Sequence, residues 1–234
     1  MSAPAALGDR AGASGARVVD VAIVDYGMGN RRSVEKAFER VGARPRVTRD
    51  PDAIRAADGV VVPGVGAFPR AMANLRALGL DAVIRERVEA GVPLLGICLG
   101  MQLLFERSEE LGGADGLGLL RGAVRPLDAR GARVPHIGWN VVRFERATRL
   151  NAALPAEAAF YHVHSFVVEP ADSADVLGTA EYGERFPSAV ARDHVFGVQF
   201  HPEKSSAHGL RLLASFAAAC GATTDRPAPS TPTP

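Results

Sequence analysis

In the first half of the chain, short runs of consecutive apolar residues alternate with segments whose apolar positions recur at helical spacing. Residues 18–24 form a β-rich apolar run that stops at Asp25-Tyr26-Gly27-Met28-Gly29-Asn30. Behind Ser33, a candidate N-cap, Val34, Ala37, Phe38 and Val41 fall at i, i+3, i+4 and i+7, and Gly42 closes that helix. Residues 46–48 offer a short strand, and Val60-Val61-Val62 reads as a buried strand ending at Pro63-Gly64-Val65-Gly66. Residues 70–90 are mostly helical in pattern. The apolar run Val92-Pro93-Leu94-Leu95 then leads into Gly96-Ile97-Cys98-Leu99-Gly100, with a helix-like segment over 101–106. Strand and helix alternating in this way predict a parallel sheet with crossover helices. Ligands of such sheets bind at the carboxyl ends of the strands. Three such ends carry glycine-rich turns here, at 27–30, 64–66 and 96–100.

The second half has a different rhythm. Residues 123–125, 141–144, 161–168, 176–180, 188–192 and 195–199 are short strand candidates with few helices between them, which favours antiparallel pairing. A final helix over 206–219 buries Leu210, Leu213, Ala214 and Ala217. The expected fold class is therefore α/β: a mostly parallel central sheet flanked by helices, with an additional antiparallel strand region.

Length and composition narrow the picture only a little. A chain of 234 residues with 47% hydrophobic and 23% charged residues fits one soluble globular domain with a large core. The net charge of +1 and the absence of a basic stripe give nucleic-acid binding no electrostatic support. Two cysteines are too few for a disulfide framework, so Cys98 and Cys220 are expected to be reduced, in the cytoplasm. No signal-peptide core and no run long enough to span a bilayer is present. Residues 1–16 are rich in Ala, Gly and Ser, and residues 226–234 in Pro and Thr. The expected organisation is a disordered N-terminal extension over 1–16, one domain over 17–221 and a disordered tail over 222–234.

The segment around Cys98 carries the chemistry. A buried strand running into Gly-x-Cys-x-Gly and then a helix has the layout of a nucleophile elbow. Side chains two residues either side of the nucleophile would collide in so tight a turn, so Gly96 and Gly100 flank it. The following helix would aim its N-terminus at the sulfur and favour thiolate, and the Leu99 N–H would point where an oxyanion forms. The partner base is His201, at the end of the strand Val198-Gln199-Phe200-His201-Pro202-Glu203, with Glu203 fixing the tautomer of His201. Pro63-Gly64-Val65-Gly66 also ends a core strand and reads either as a plain turn or as the source of N–H groups that complete an oxyanion hole with Leu99.

Other motifs have plainer readings. Cys220 lies among alanines and reads as structural. Gly27-Met28-Gly29-Asn30 lacks the remaining residues of a phosphate loop and reads as a strand-end turn. His162 and His164 share a strand face, yet no third ligand is apparent nearby, so no metal is expected. Trp139, in the Gly-containing loop Pro135-His136-Ile137-Gly138-Trp139-Asn140, serves equally well as a packing anchor or as part of a partner surface.

Gly96-Ile97-Cys98-Leu99-Gly100-Met101-Gln102 together with Gln199-Phe200-His201-Pro202-Glu203 resembles the signature of class I (triad-type) glutamine amidotransferases. Within them, the chain is similar to the glutaminase subunit of imidazole glycerol phosphate synthase, of histidine biosynthesis. The strings 24–30, 63–68, 103–110, 135–140 and 161–166 carry that narrower match, and the resemblance spans about 18–219. Other class I glutaminases, such as the small subunit of anthranilate synthase, share the Cys and His-x-Glu strings but not Pro-Gly-Val-Gly or His-Ile-Gly-Trp-Asn.

The resemblance implies attack of Cys98 on the side-chain amide of glutamine, a thioester intermediate, and release of glutamate and ammonia. It implies an oxyanion hole from Leu99, Gly64, Val65 and Gly66, the latter strand reoriented by a partner. It places Gly66, Gly100, Gln102, Glu110, His164, Ser165 and Phe166 around the glutamine. The partner it implies is a (β/α)₈ cyclase subunit, joined as a heterodimer. That subunit uses the ammonia to form imidazole glycerol phosphate and an aminoimidazole carboxamide ribotide. Asn30, Trp139, Tyr161 and Lys204 would lie at or near the interface, and no cofactor is implied. The chain departs from the family pattern at Phe166, where Tyr is common, at His162, where an apolar aromatic is common, and at Arg31, where Leu is frequent.

Overall fold

Val21-Ala22-Ile23-Val24 is buried at every position, as a strand covered on both faces must be. It belongs to β1 (Asp20–Val24) of the computed structural model, which describes residues 17–224. The chain continues through α1 (Arg31–Arg40), β2 (Arg44–Thr48), α2 (Pro51–Ala56), β3 (Gly59–Gly64), α3 (Phe68–Ala77) and α4 (Leu80–Glu89). Next come β4 (Leu94–Cys98), α5 (Leu99–Gln102), β5 (Phe105–Ser108), β6 (Ala114–Asp115) and β7 (Leu120–Pro126). The remainder is β8 (His136–Phe144), β9 (Glu157–His164), β10 (Phe166–Pro170), β11 (Val176–Tyr182), β12 (Glu184–Arg192), β13 (Val195–Val198) and α6 (Ser206–Thr224).

A 9-stranded sheet runs in the order β2-β1-β3-β4-β13-β12-β11-β8-β9. From β2 to β13 all neighbours are parallel; from β13 onward each pair is antiparallel. A smaller sheet, β10-β7-β5-β6, joins segments the sequence pattern does not pair. Alternate residues of the parallel strands feed two cores. Val21, Ile23, Val61, Leu95 and Ile97 pack on one face with Phe38 of α1 and Phe216 of α6. Ala22, Val24, Val60, Val62 and Leu94 pack on the other with Met72 of α3 and Ile84 of α4. This period of two is the expected signature of a sheet sandwiched between helices.

The structure alters several local expectations. Asn30, not Ser33, caps α1: its side chain accepts the Ser33 N–H at 3.4 Å. The helical stretch over 70–90 is two helices, divided where Gly79 takes φ 66°. The helix after Cys98 is a single turn, and residues 105–108 are strand β5 instead. Leu103, Leu104 and Phe105 are buried all round, so no polar face exists to sustain an amphipathic helix. Residues 161–168 are not one strand, because the chain passes from β9 in the large sheet to β10 in the small one. Residues 135–140 are not a loop: Trp139 stands within β8, paired with Tyr161 of β9. The expected N-terminal extension and most of the expected tail lie outside the described residues, and α6 runs to Thr224, past the expected boundary at 221.

Candidate active site

Cys98 ends β4 with φ 56° and ψ −114°, a left-handed conformation that costs a non-glycine residue about 1–3 kcal/mol. The surroundings enforce it. β4 is clamped between parallel neighbours β3 and β13 in the middle of the large sheet. A side chain at Gly96 would run into the backbone of Gly100 and Met101, and one at Gly100 into the carbonyl of Val62. Both glycines are therefore sterically required, and the sulfur comes to lie 3.6 Å from the Val163 carbonyl.

β13 ends one strand away and delivers His201. Its N–H bonds the Tyr161 carbonyl at 2.9 Å, and its own carbonyl accepts from the Ser205 hydroxyl at 2.6 Å. The turn at Pro202 brings Glu203 back, so that His201 Nδ1 donates to Glu203 Oε1 at 2.9 Å. A carboxylate only accepts, which puts the proton on Nδ1 and leaves Nε2 for Cys98. Burial pulls the His201 imidazole down, but its hydrogen bonds to Cys98 and Glu203, and their charges, outweigh burial and push it up to about 9. Cys98, His201 and Glu203 are thus brought together at the carboxyl edge of the sheet.

These groups open into a cleft of about 290 Å³. Val65, Gly66, Leu99, Gln102, Glu110, His164, Ser165, Phe166, His201 and Lys204 line it with Cys98. Of the residues expected at the oxyanion hole and around the substrate, two do not. Gly100 is packed beneath the turn, and Gly64 is buried against Tyr26, Leu99 and Gly100, paired in register with Cys98. Gly66 takes φ 103° and packs on Met28, so the 27–30 turn rests on this second strand end. Glu110 has a structural partner: its carboxylate accepts the Phe68 N–H at 2.8 Å and caps α3, whose own cap residue, Ala67, has no side chain to do so. Gln102 donates to the Phe166 carbonyl at 3.2 Å and to Gln199 Oε1 at 3.0 Å.

The expected rim residues connect to this cleft. Lys204 Nζ stands 5.9 Å over the Tyr161 ring, which packs edge-on against Trp139 with centroids 6.2 Å apart. Trp139 is 56% exposed, and with Ile137 and Val141 it makes an apolar row along β8. Asn30 follows the turn that rests on 63–66.

Three residues were not singled out by spacing and belong here. His136 packs against His162 and His164, with Nδ1 of His136 2.9 Å from Nε2 of His164. Sequence reading found no third neighbour for the histidine pair because the neighbour arrives from β8 across the sheet. The ring nitrogens of the three are taken up by hydrogen bonds, and among the described residues no cluster of three such side chains is placed to hold a metal ion. Tyr26 is buried with its hydroxyl on the Pro63 carbonyl at 2.7 Å; burial and the nearby Cys98 raise its phenol. Gln199 lies at the foot of the site. An amide among Val195-Phe196-Gly197-Val198 and Phe200 was a visible signal, because a buried amide requires partners.

Residues 22–220 match the family described as glutamine amidotransferase class-I. The chain is 56% identical, over 196 residues, to imidazole glycerol phosphate synthase subunit HisH of Moorella thermoacetica, covering 84% of this chain and 93% of that one. It is 52% identical over 206 residues to the subunit of the same name from Methylococcus capsulatus, covering 84% and 94% respectively. Among solved structures, PurLQS from Thermotoga maritima superposes with a TM-score of 0.69 at 21% identity, over 87% of this chain and 99% of that one. That likeness speaks for the fold alone.

Proposed function

The chain belongs to the class I glutamine amidotransferases and, within them, to the glutaminase subunits of imidazole glycerol phosphate synthase, and on that footing we propose how its residues divide the work. Cys98 is the nucleophile, His201 the proton shuttle and Glu203 the group that holds His201 in its working tautomer. The Cys98 thiol passes its proton to His201 Nε2, and the thiolate attacks the side-chain amide carbon of glutamine. The N–H of Leu99, with those of the 64–66 strand end, receives the oxyanion. His201 returns the proton to the departing nitrogen, the C–N bond breaks, and ammonia leaves a thioester on Cys98. His201 then takes a proton from water, the hydroxide attacks, the C–S bond breaks, and glutamate is released.

Gly66, Gln102, Glu110, His164, Ser165 and Phe166 surround the glutamine. Gly100 acts by letting the elbow close, not by touching substrate. Ammonia goes to a separate (β/α)₈ cyclase subunit in a heterodimer. Docking of that subunit on Trp139, Tyr161, Lys204 and Asn30 reorients the 63–66 strand end, which completes the oxyanion hole. Gating by the partner prevents glutamine from being hydrolysed when no acceptor is present. The reactive thiol requires a reducing compartment, which fits the cytoplasm. No helix among the described residues is long and apolar enough to cross a membrane.

One observation supports this assignment most: a cysteine in left-handed backbone at the carboxyl edge of the sheet, beside a histidine held by a buried carboxylate. The test is the glutaminase rate of the purified chain, alone and with the cyclase subunit and its ligand. Strong stimulation by both is expected. A chain equally active alone would overturn the gating, and a folded chain inactive in both conditions would overturn the assignment of Cys98.

A further inference from the structure

We propose that Gln199 is the residue that holds the Cys98 sulfur in its anionic form, and that Gln102 is the positioning residue that aims it. The proposal rests on Cys98 being the nucleophile.

Orientation follows from a backbone group of known polarity. The Phe166 carbonyl can only accept, so the Gln102 side chain must present Nε2 to it, at 3.2 Å. The second hydrogen on that nitrogen goes to Gln199 Oε1 at 3.0 Å. With Oε1 facing Gln102, Gln199 has only one way to point its NH₂ group: toward Cys98 Sγ, at 3.7 Å. A chain of directed hydrogen bonds thus runs from the Phe166 carbonyl through two amides to the sulfur. Flipping Gln102 would set oxygen against oxygen, and flipping Gln199 alone would set donor against donor. Gln199 is fully buried, so no water competes for its donor.

The sulfur also faces His201, which is hydrogen-bonded to it and takes its proton, the buried Tyr26 phenol, which stays neutral, and a neighbour of opposite preference to Gln199. As a thiol, Cys98 donates to the Val163 carbonyl at 3.6 Å. Once the proton moves to His201, that carbonyl faces a negative charge and has no hydrogen to accept. The Gln199 amide does the reverse: its contact with a neutral sulfur is weak, and it becomes a charge-assisted bond when the thiolate forms. Gln199 therefore acts on one protonation state of Cys98, which is what distinguishes it from a packing residue.

The experiment is the pH dependence of Cys98 alkylation by iodoacetamide in the full-length chain, followed by peptide-resolved mass spectrometry so that Cys220 is scored separately. In Gln199→Met, which keeps the volume and removes the donor, the midpoint of the profile is expected to move up by about one pH unit, the worth of one hydrogen bond to a charged group. Gln199→Glu, which sets a carboxylate against the sulfur, is expected to move it further. Gln102→Met leaves Gln199 in place but frees its amide to turn, and a smaller upward shift is expected. In the complex with its cyclase, Gln199→Met should lower glutaminase kcat about tenfold and leave KM unchanged. A folded Gln199→Met chain with the wild-type alkylation profile would overturn the proposal. Should Gln199→Met fail to fold, a wild-type profile in Gln102→Met would overturn it equally. Alkylation needs neither glutamine nor partner. A shifted profile in a chain that hydrolyses no glutamine would therefore uphold this inference and sink the functional assignment instead.

Discussion

His136 and His164 share a hydrogen bond of 2.9 Å whose direction is fixed at its far end, where His164 Nδ1 gives its proton to the Phe166 carbonyl at 3.0 Å. His164 Nε2 must then accept, and His136 Nδ1 must donate. His136 Nε2 is left to take the Asn140 amide at 3.4 Å. The cleft is therefore lined by a neutral imidazole, His164, backed by a second, His136. Adding a proton to His164 removes an acceptor and charges a buried ring.

Acid should accordingly unfold this protein early. Burial, chiefly, holds His162 and His164 at about 3, against an ordinary value of 6.5. Between those values the unfolded chain binds more protons than the folded one. Stability is then full above pH 6.5 and falls as pH drops toward 3, by up to about 1.4 kcal/mol per pH unit for each histidine. Urea melts at stepped pH will measure the slope. The pair His162→Phe with Ser188→Ala, which also removes the buried hydroxyl bonded to His162 at 2.8 Å, should flatten it. An unchanged slope would exclude His162 as a contributor.

The opposite sign applies at His201. Its folded value of about 9 lies above the ordinary 6.5, so the stability it lends is complete below 6.5 and disappears as pH rises through 9. In Glu203→Gln that alkaline loss should begin at lower pH. Glutaminase turnover should fall by roughly two to four orders of magnitude, because the tautomer is no longer enforced. Steady-state rates with the partner present will show this. Near-normal turnover would mean that Glu203 does not orient the imidazole.

Gly100→Ala tests the elbow without touching a polar group. The added methyl meets the Val62 carbonyl and has no flexible side chain to displace. We expect destabilisation of about 1–3 kcal/mol by denaturant melts and loss of glutamine-dependent activity. Gly42→Ala, at a positive φ of 84° but with open space around it, should cost only about 1 kcal/mol and leave turnover intact.

Lys204→Ala should weaken binding of the cyclase subunit about tenfold by titration calorimetry, in line with loss of an interface anchor, with no measurable change in the melting temperature of the free chain. Wild-type affinity together with wild-type stimulation would remove Lys204 from the docking surface.

The elbow was legible from sequence because its marks are local. Gly96 is required by the backbone of Gly100 and Met101, and Gly100 by the Val62 carbonyl of the neighbouring strand, yet both requirements show as glycines two residues either side of Cys98. The parallel strands were legible because Val21 to Val24 and Val60 to Val62 are apolar on both faces. What escaped was what the sheet assembles from afar. His136 reaches His164 only through the pairing of β8 with β9, and Gln102 reaches Gln199 only because β4 and β13 are neighbours. Gly138 gives the segment around Trp139 the look of a loop. The glycine instead marks irregular backbone, at φ 144°, inside a strand. The short helix after Cys98 misled for a different reason: a run buried on every side has the composition of a helix and lacks its period.

The placement of β13 between β4 and β12 has a consequence for how the protein is made. The strand beside Cys98 comes from residues 195–198, after all five strands from β8 to β12 have been threaded. A ribosome releasing the chain from its N-terminus exposes the cysteine long before its histidine exists, and pairings this distant in sequence form slowly. A nascent or truncated chain therefore presents a thiol with no base beside it. Chemical competence arrives only with β13 and the turn behind it, which makes glutamine turnover itself a report that this late strand has joined the sheet.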